Sequence, residues 1–198
     1  MKILIATSNE GKMKEFRRLL ADKEVEVLSM KEAKIEIDIE ENGTTFEENA
    51  AIKAKALCAV SNTLCLADDS GLVIDFLGGE PGIYSARYLG HDTPYEEKNR
   101  SIIERMKGVK DKERTARFVC AVAAAFPDGT VMTVTDTMEG LIAHEPAGCG
   151  GFGYDPIFFF PPKGITSAEM TSDEKNAVSH RGKALRRMIA FLQKEILQ

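Results

Sequence analysis

Residues 1–20 read MKILIATSNEGKMKEFRRLL, and the fold is decided there. An apolar run from Ile3 to Ala6 stops at Thr7-Ser8-Asn9, after which Met13, Phe16, Leu19 and Leu20 recur at helical spacing. This pattern predicts a strand, a tight loop and a helix, the opening of an α/β chain.

Outward from that start, EVEVLSM reads as a second strand, and the acidic stretch from Ile35 to Glu41 ends on the turn signal Asn42-Gly43. Thr45 to Glu48 fits a capping box, opening an Ala-rich helix that runs to Val60. Thr63 to Ala67 is a compact apolar run, expected as a buried strand that ends on Asp68-Asp69-Ser70-Gly71. The Gly/Pro-rich LGGEPGIYSARYLG is irregular, and a second capping box at Thr93 to Glu96 opens a helix to about Met106. Arg117–Phe126 and Thr130–Thr137 flank Pro127-Asp128-Gly129, a hairpin signature. After GCGGFGYDP come an IFFF strand, a third capping box at Thr171 to Glu174, and a last helix. Leu185, Met188, Ile189, Leu192 and Ile196 form that helix's apolar stripe. Strands and helices interleave around at least one hairpin, with no repeat and no linker, so the expectation is one domain over 1–198, of α/β class with a mixed sheet.

Composition narrows the function classes. The chain has 198 residues, 43% hydrophobic and 29% charged with no Trp, which excludes a disordered or collagen-like chain. Lys+Arg of 26 against Asp+Glu of 31 leaves a net charge of −5, which argues against a protein held to nucleic acid or an anionic membrane by bulk charge. Any polyanion must therefore meet local cations or a metal. Cys58, Cys65, Cys120 and Cys149 lack CxxC spacing and read as reduced core residues. No apolar run approaches a membrane span and the N-terminus lacks the apolar region of a signal peptide, so a soluble, cytoplasmic protein is expected.

Four constellations can carry chemistry. Thr7, Ser8, Asn9, Glu10, Gly11 and Lys12 lie between strand and helix, where free amides and the helix dipole suit a phosphate; the bland alternative is a helix cap with a solvated lysine. Glu40, Glu41, Asp68 and Asp69 offer hard oxygens of the kind Mg²⁺ takes, and strand alternation turns Asp68 and Asp69 to different faces; alternatively both aspartates cap the turn into Ser70-Gly71. In Gly150–Pro156, Phe152 or Tyr154 can stack on a planar base while Asp155 accepts from it, or the segment is a plain glycine bend. Around Glu174–Gly182, Lys175, His180 and Arg181 gather donors suited to a phosphate or a base carbonyl, although such a group at a helix start is commonly solvated. His91 and His144 have no partners at metal-ligand spacing, so zinc is unsupported.

Taken in order, TSNEGK, FEENAAIKA, ADDSGL, GGEPGIYSARY, GGFGYDPIF and EKNAVSHRG resemble the inosine triphosphate pyrophosphatase family, which hydrolyses non-standard purine nucleoside triphosphates. Each motif is weak by itself; six in register from residue 7 to 182 are specific. The resemblance implies Mg²⁺-dependent hydrolysis of ITP, XTP and their deoxy forms to the monophosphate and pyrophosphate. It implies an elongated, two-lobed α/β domain around a long mixed sheet, a nucleotide site in the cleft between the lobes, and a homodimer. It also implies residue roles. Thr7 to Lys12 match the phosphate-binding opening, Lys53 a lysine near the triphosphate, Asp69 the general base that also serves the metal, and Ser70 a substrate contact. Phe152, Gly153, Tyr154, Asp155, Lys175, His180 and Arg181 match the base-recognition and C-terminal substrate residues. The second metal ligand falls at Glu40 or Glu41, with spacing to the following glycine favouring Glu40. A pyrophosphatase for other modified nucleotides, and a non-catalytic nucleotide sensor, are the competing readings.

Overall fold

A computed structural model describes residues 2–21 and 25–196. Seven strands form one mixed sheet in the order β2-β1-β3-β4-β5-β6-β7. They are β1 (Lys2–Ile5), β2 (Glu26–Ser29), β3 (Cys65–Ile74), β4 (Thr115–Ala125), β5 (Val131–Ile142), β6 (Phe158–Phe160) and β7 (Ile165–Thr166). β1 is parallel to β2 and β3, whereas β6 is antiparallel to β5 and β7. The helices are α1 (Glu10–Leu20), α2 (Phe46–Ser61), α3 (Tyr95–Arg105), α4 (Ser172–Val178) and α5 (His180–Ile196). The α/β class with a mixed sheet is the one expected.

The chain divides into two compact units: one of residues 1–69, 120–136 and 181–198, the other of residues 70–119 and 137–180. In the first, both faces of the sheet are covered. Ile3, Ile5, Leu64 and Leu66 pack with Met13 and Phe16 of α1 and Leu185 and Met188 of α5. Leu4, Cys65 and Ala67 point the other way, packing with Ala50, Ala54 and Leu57 of α2. Burial on both sides explains why these strands read as continuous apolar runs rather than alternating ones. The second unit has its own core of Leu72, Ile74, Ile102, Met106, Phe118 and Phe158.

Several local expectations need correction. β3 does not end at Asp68-Asp69; it continues through Ser70 and Gly71 to Ile74, so the acidic pair lies within a strand, not at a turn. Ion pairing described below makes that burial tolerable. Thr45 caps α2 by accepting from the Glu48 amide, but the Glu48 carboxylate accepts from the amide and hydroxyl of Thr44 instead of closing the box on Thr45. At α3 the box is absent: Pro94 is the cap residue, and the Thr93 hydroxyl donates to the Leu89 carbonyl. The box at Thr171–Glu174 forms on both sides. It opens only the short α4, because Ser179 adopts an extended conformation and separates α4 from α5. Of α5's expected stripe, Leu185, Met188, Ile189 and Leu192 are buried, and the Ile196 side chain lies outside the described residues. Cys58, Cys65 and Cys120 are buried free thiols, with burial pushing Cys65 up to about 11; Cys149 is exposed, contrary to the core reading.

Candidate active site

Strand alternation builds the first unit's polar centre. Leu66 faces α1 and α5, so Asp68, two residues on, emerges on that side; Ala67 faces α2, and so does Asp69. Asp68 accepts from Lys12 Nζ at 3.0 Å and from Arg181 Nε at 3.1 Å, with the Cys120 thiol at 3.9 Å. Arg181 also pairs with Glu15 of α1. Burial pushes the Asp68 carboxyl up, but Lys12, Arg181 and Lys53 outweigh it and hold the group well below the usual carboxylate range. Buried charges persist only when paired in this way.

Asp69 meets different company. α2 buries Asn49, Ala50, Lys53, Ala54, Leu57 and Cys58, one helical face whose N-terminal end is polar. From that end Lys53 Nζ reaches Asp69 Oδ1 at 3.2 Å and Glu41 Oε2 at 3.0 Å, while Asn49 Nδ2 donates to Asp69 Oδ2 at 3.3 Å. Burial raises the Asp69 carboxyl, Lys53 and Lys12 offset only part of that rise, and Glu41 adds to it. Lys53 is lowered by burial, but Asp69, Asp68 and Glu41 together raise it above its ordinary value. A carboxylate held above its normal range beside an ammonium has the character of a general base.

The residues fit a divalent cation. Asp69 and Glu41 already flank one cationic group, the Lys53 ammonium, and two carboxylates completed by phosphate oxygens and water are an ordinary Mg²⁺ environment. Among the described residues, no three His, Cys, Asp or Glu side chains gather to hold a metal on their own. Glu40, favoured by spacing, is exposed, and the structure sets Glu41 beside Lys53. Exposure alternates along this segment, with Glu36, Asp38, Glu40 and Asn42 exposed and Ile37, Ile39, Glu41 and Gly43 half-buried, so only one of the two consecutive acids turns inward.

At the opening loop, the Asn9 side chain caps α1 by accepting from the Lys12 amide at 3.2 Å, and Thr7 Oγ1 accepts from the Asn9 amide. Ser8, Asn9 and Glu10 are exposed, while Gly11 and Lys12 are half-buried. Capping thus holds for Asn9, whereas Lys12 is ion-paired, not solvated. A groove of about 560 Å³ runs beside this loop, lined by Thr7, Ser8, Met13, Met30 and Ile35 among others.

The second unit has a separate polar set. Asp155 is buried, and its Oδ2 accepts from the Phe152 amide and from Lys175 Nζ, each at 2.7 Å. That carboxylate lies so close to Gly151, which has φ 71°, that a Cβ there would sit 2.2 Å from Oδ2. Lys175 in turn lies 4.8 Å from the centre of the Phe152 ring. Asp155 is therefore a support for Lys175 and the loop, beyond any role as an acceptor for a base. Tyr154 is buried, donates its hydroxyl to the Ser85 carbonyl at 2.7 Å and packs edge-on against Tyr95, which leaves Phe152 as the half-buried ring. The Gly153 carbonyl accepts from Asn99. His180 stacks on Phe118, with ring centres 4.8 Å apart. Ser70 is half-buried on β3.

Expected site residues thus fall into two sets: Lys12, Lys53, Asp69 and Arg181 in the first unit, and Phe152, Asp155, Lys175 and His180 in the second. Arg181 pairs with Asp68 and Glu15 of its own unit. Sequence reading missed Asn49 and Glu15. For Asn49 there was no local signal: it shares its buried α2 face with Lys53 as well as with Ala50 and Ala54, and the fold brings its partners Gly43 and Asp69 to it.

A mixed α/β chain with a buried carboxylate–ammonium centre is the class of protein defined so far, and comparison with known proteins narrows it. The model of the Ham1 family matches residues 3–191, and the chain belongs to the Ham1 family. A Bacillus subtilis protein named dITP/XTP pyrophosphatase is 47% identical over 190 residues, covering 96% of each chain. A Clostridium perfringens protein of the same name is 45% identical, covering 94% of this chain and 95% of its own. A solved Ham1 protein from Coxiella burnetii superposes with a TM-score of 0.89 at 39% identity, covering 98% of this chain and 99% of its own. These findings agree with the resemblance read from the six motifs.

Proposed function

We propose that this protein hydrolyses XTP, ITP and their deoxy forms to the nucleoside monophosphate and pyrophosphate, removing non-standard purines before they enter DNA or RNA. The observation that carries this reading is Asp69: a buried carboxylate raised above its usual range, gripped by Lys53 and Asn49, with Glu41 across the same ammonium. The names borne by relatives at about 45% identity supply the substrate class.

In this reaction a water oxygen bonds to the α-phosphorus as the bond from that phosphorus to the bridging oxygen breaks. Asp69 takes the water proton, and Lys12 and Lys53 neutralise charge on the departing pyrophosphate. Backbone amides at the start of α1 bind phosphate oxygens. Asp69 and Glu41 would hold Mg²⁺, which would supply further charge neutralisation. Phe152 stacks on the purine, and Lys175 and His180 donate to the carbonyl at its 6-position. Adenine presents an amino group there and leaves those donors unpaired, a mismatch that discriminates by roughly 10⁴-fold or more. Arg181 acts through Asp68, keeping Lys12 in place. A homodimer and a cytoplasmic setting belong to the same reading; among the described residues no helix is long and apolar enough to cross a membrane.

The test is a panel of XTP, ITP, dITP, GTP and ATP with Mg²⁺, scored separately for pyrophosphate and phosphate. Pyrophosphate release confined to the non-standard purines is expected. Phosphate release, or equal turnover of GTP and ATP, overturns the assignment, and tight binding of ITP without turnover revives the sensor.

A further inference from the structure

Asn49 has no role in the chemistry just described, yet it occupies a costly position. It is fully buried, on the same α2 face as Ala50, Ala54 and Leu57, where an apolar side chain would satisfy packing without an amide to desolvate. Both ends of that amide are used. Nδ2 donates to Asp69 Oδ2 at 3.3 Å, and Oδ1 accepts from the Gly43 amide at 2.9 Å. Asp69's other oxygen goes to Lys53, one helical turn along, so the two residues of α2 grip both carboxylate oxygens and fix the plane of the group. Gly43 lies two residues after Glu41 and comes in so closely that a Cβ would stand 2.7 Å from Asn49 Oδ1 and 2.8 Å from Glu48 Cβ. The loop carrying Glu41 is thus moored to the same amide that orients Asp69.

We propose that Asn49 is a positioning residue, coupling the orientation of Asp69 to the placement of Glu41 so that the two carboxylates face one another across a fixed gap. This rests on the reading of Asp69 as base and of Asp69 and Glu41 as cation ligands. Neither an aspartate nor an alanine can replace it: the first offers no donor to Asp69, and the second offers neither bond. Support of this indirect kind typically changes metal affinity or activity by about 10–100-fold.

The experiment compares wild type, Asn49→Ala and Gly43→Ala in three measurements: kcat and KM for XTP, Mn²⁺ affinity of the nucleotide-free protein by calorimetry, and thermal melting. Expected for both variants are a kcat lower by about 10–100-fold, a KM for XTP within about threefold of wild type, and Mn²⁺ binding weakened by a similar factor to kcat. Gly43→Ala pushes the loop away from Asn49 and the first turn of α2 at Glu48 while leaving the Asn49 side chain in place, and decides the matter if Asn49→Ala does not fold. Wild-type kcat and Mn²⁺ affinity in a folded variant overturn the proposal, as does a loss confined to KM. A wild-type protein that binds Mn²⁺ but does not hydrolyse XTP defeats the proposed function instead, and the Mn²⁺ measurement then still tests the coupling.

Discussion

Asp68 and Asp69 are neighbours in sequence and identical in chemistry, but the two faces of β3 treat them oppositely. On the α1–α5 face, Asp68 meets Lys12 and Arg181 and is held well below the usual carboxylate range. On the α2 face, Asp69 shares a single ammonium with Glu41 and is raised. One carboxylate has cations to spare; the other competes for one. Environments that push two like groups apart are how one strand supplies both a fixed structural anion and a reactive base.

The contrast can be broken most forcefully at Asp68. Asp68→Asn takes the buried carboxylate away from both Lys12 and Arg181, and an unfolding free energy lower by about 3–5 kcal/mol is expected in urea titrations; unchanged stability would show the anion to be dispensable. Asp69→Asn should do the reverse. Its melting temperature stays close to wild type, because a raised carboxyl adds no stability in its charged form, while turnover of XTP falls by at least about 10²-fold. Near-normal hydrolysis by that soluble variant would sink the general-base role. Phe152→Ala touches neither aspartate and sharpens the comparison from outside: substrate binding weakens by about 1–3 kcal/mol through lost stacking, with an unchanged KM counting against it.

The smallest effect lies in pH. Because the folded Asp68 carboxyl is depressed, its contribution is fully present above the unfolded-state value of about 3.9 and is lost as pH falls through the folded value. The stability gap between wild type and Asp68→Asn should therefore narrow progressively below about pH 4, by no more than about 1.4 kcal/mol per pH unit. A gap that stays constant from pH 7 to pH 3 contradicts the depressed value.

Much of this arrangement can be read in the chain before any coordinates. Ile3–Ala6 followed by Met13, Phe16 and Leu20 predicted β1 and α1, and Ile3 and Ile5 do share one core with Met13, Phe16 and Leu20. Pro127-Asp128-Gly129 predicted the β4–β5 hairpin, and Gly129 takes φ 90° there. Less accessible was anything that depended on who sits across the sheet. The capping box at Thr93 failed because Leu89 offered its carbonyl to the threonine hydroxyl. Tyr154 resembled a stacking ring, but a carbonyl at Ser85, 69 positions earlier, takes its hydroxyl. Asn49 drew no notice because its importance lies in Gly43 and Asp69, to which no local pattern points.

By itself the sequence determined the order of elements, the opposed faces of Asp68 and Asp69 and the types of residue available for phosphate and metal chemistry. Those follow from periodicity, turn chemistry and the two-residue alternation of a strand, all of them local. Only the tertiary structure decided that Asp68-Asp69 lies inside a strand, that Glu41 and not Glu40 meets Lys53, and that Arg181 serves Asp68. Charge interactions and burial depend on distance in space, and Arg181 reaches Asp68 across 113 positions of chain that no pattern of neighbours encodes.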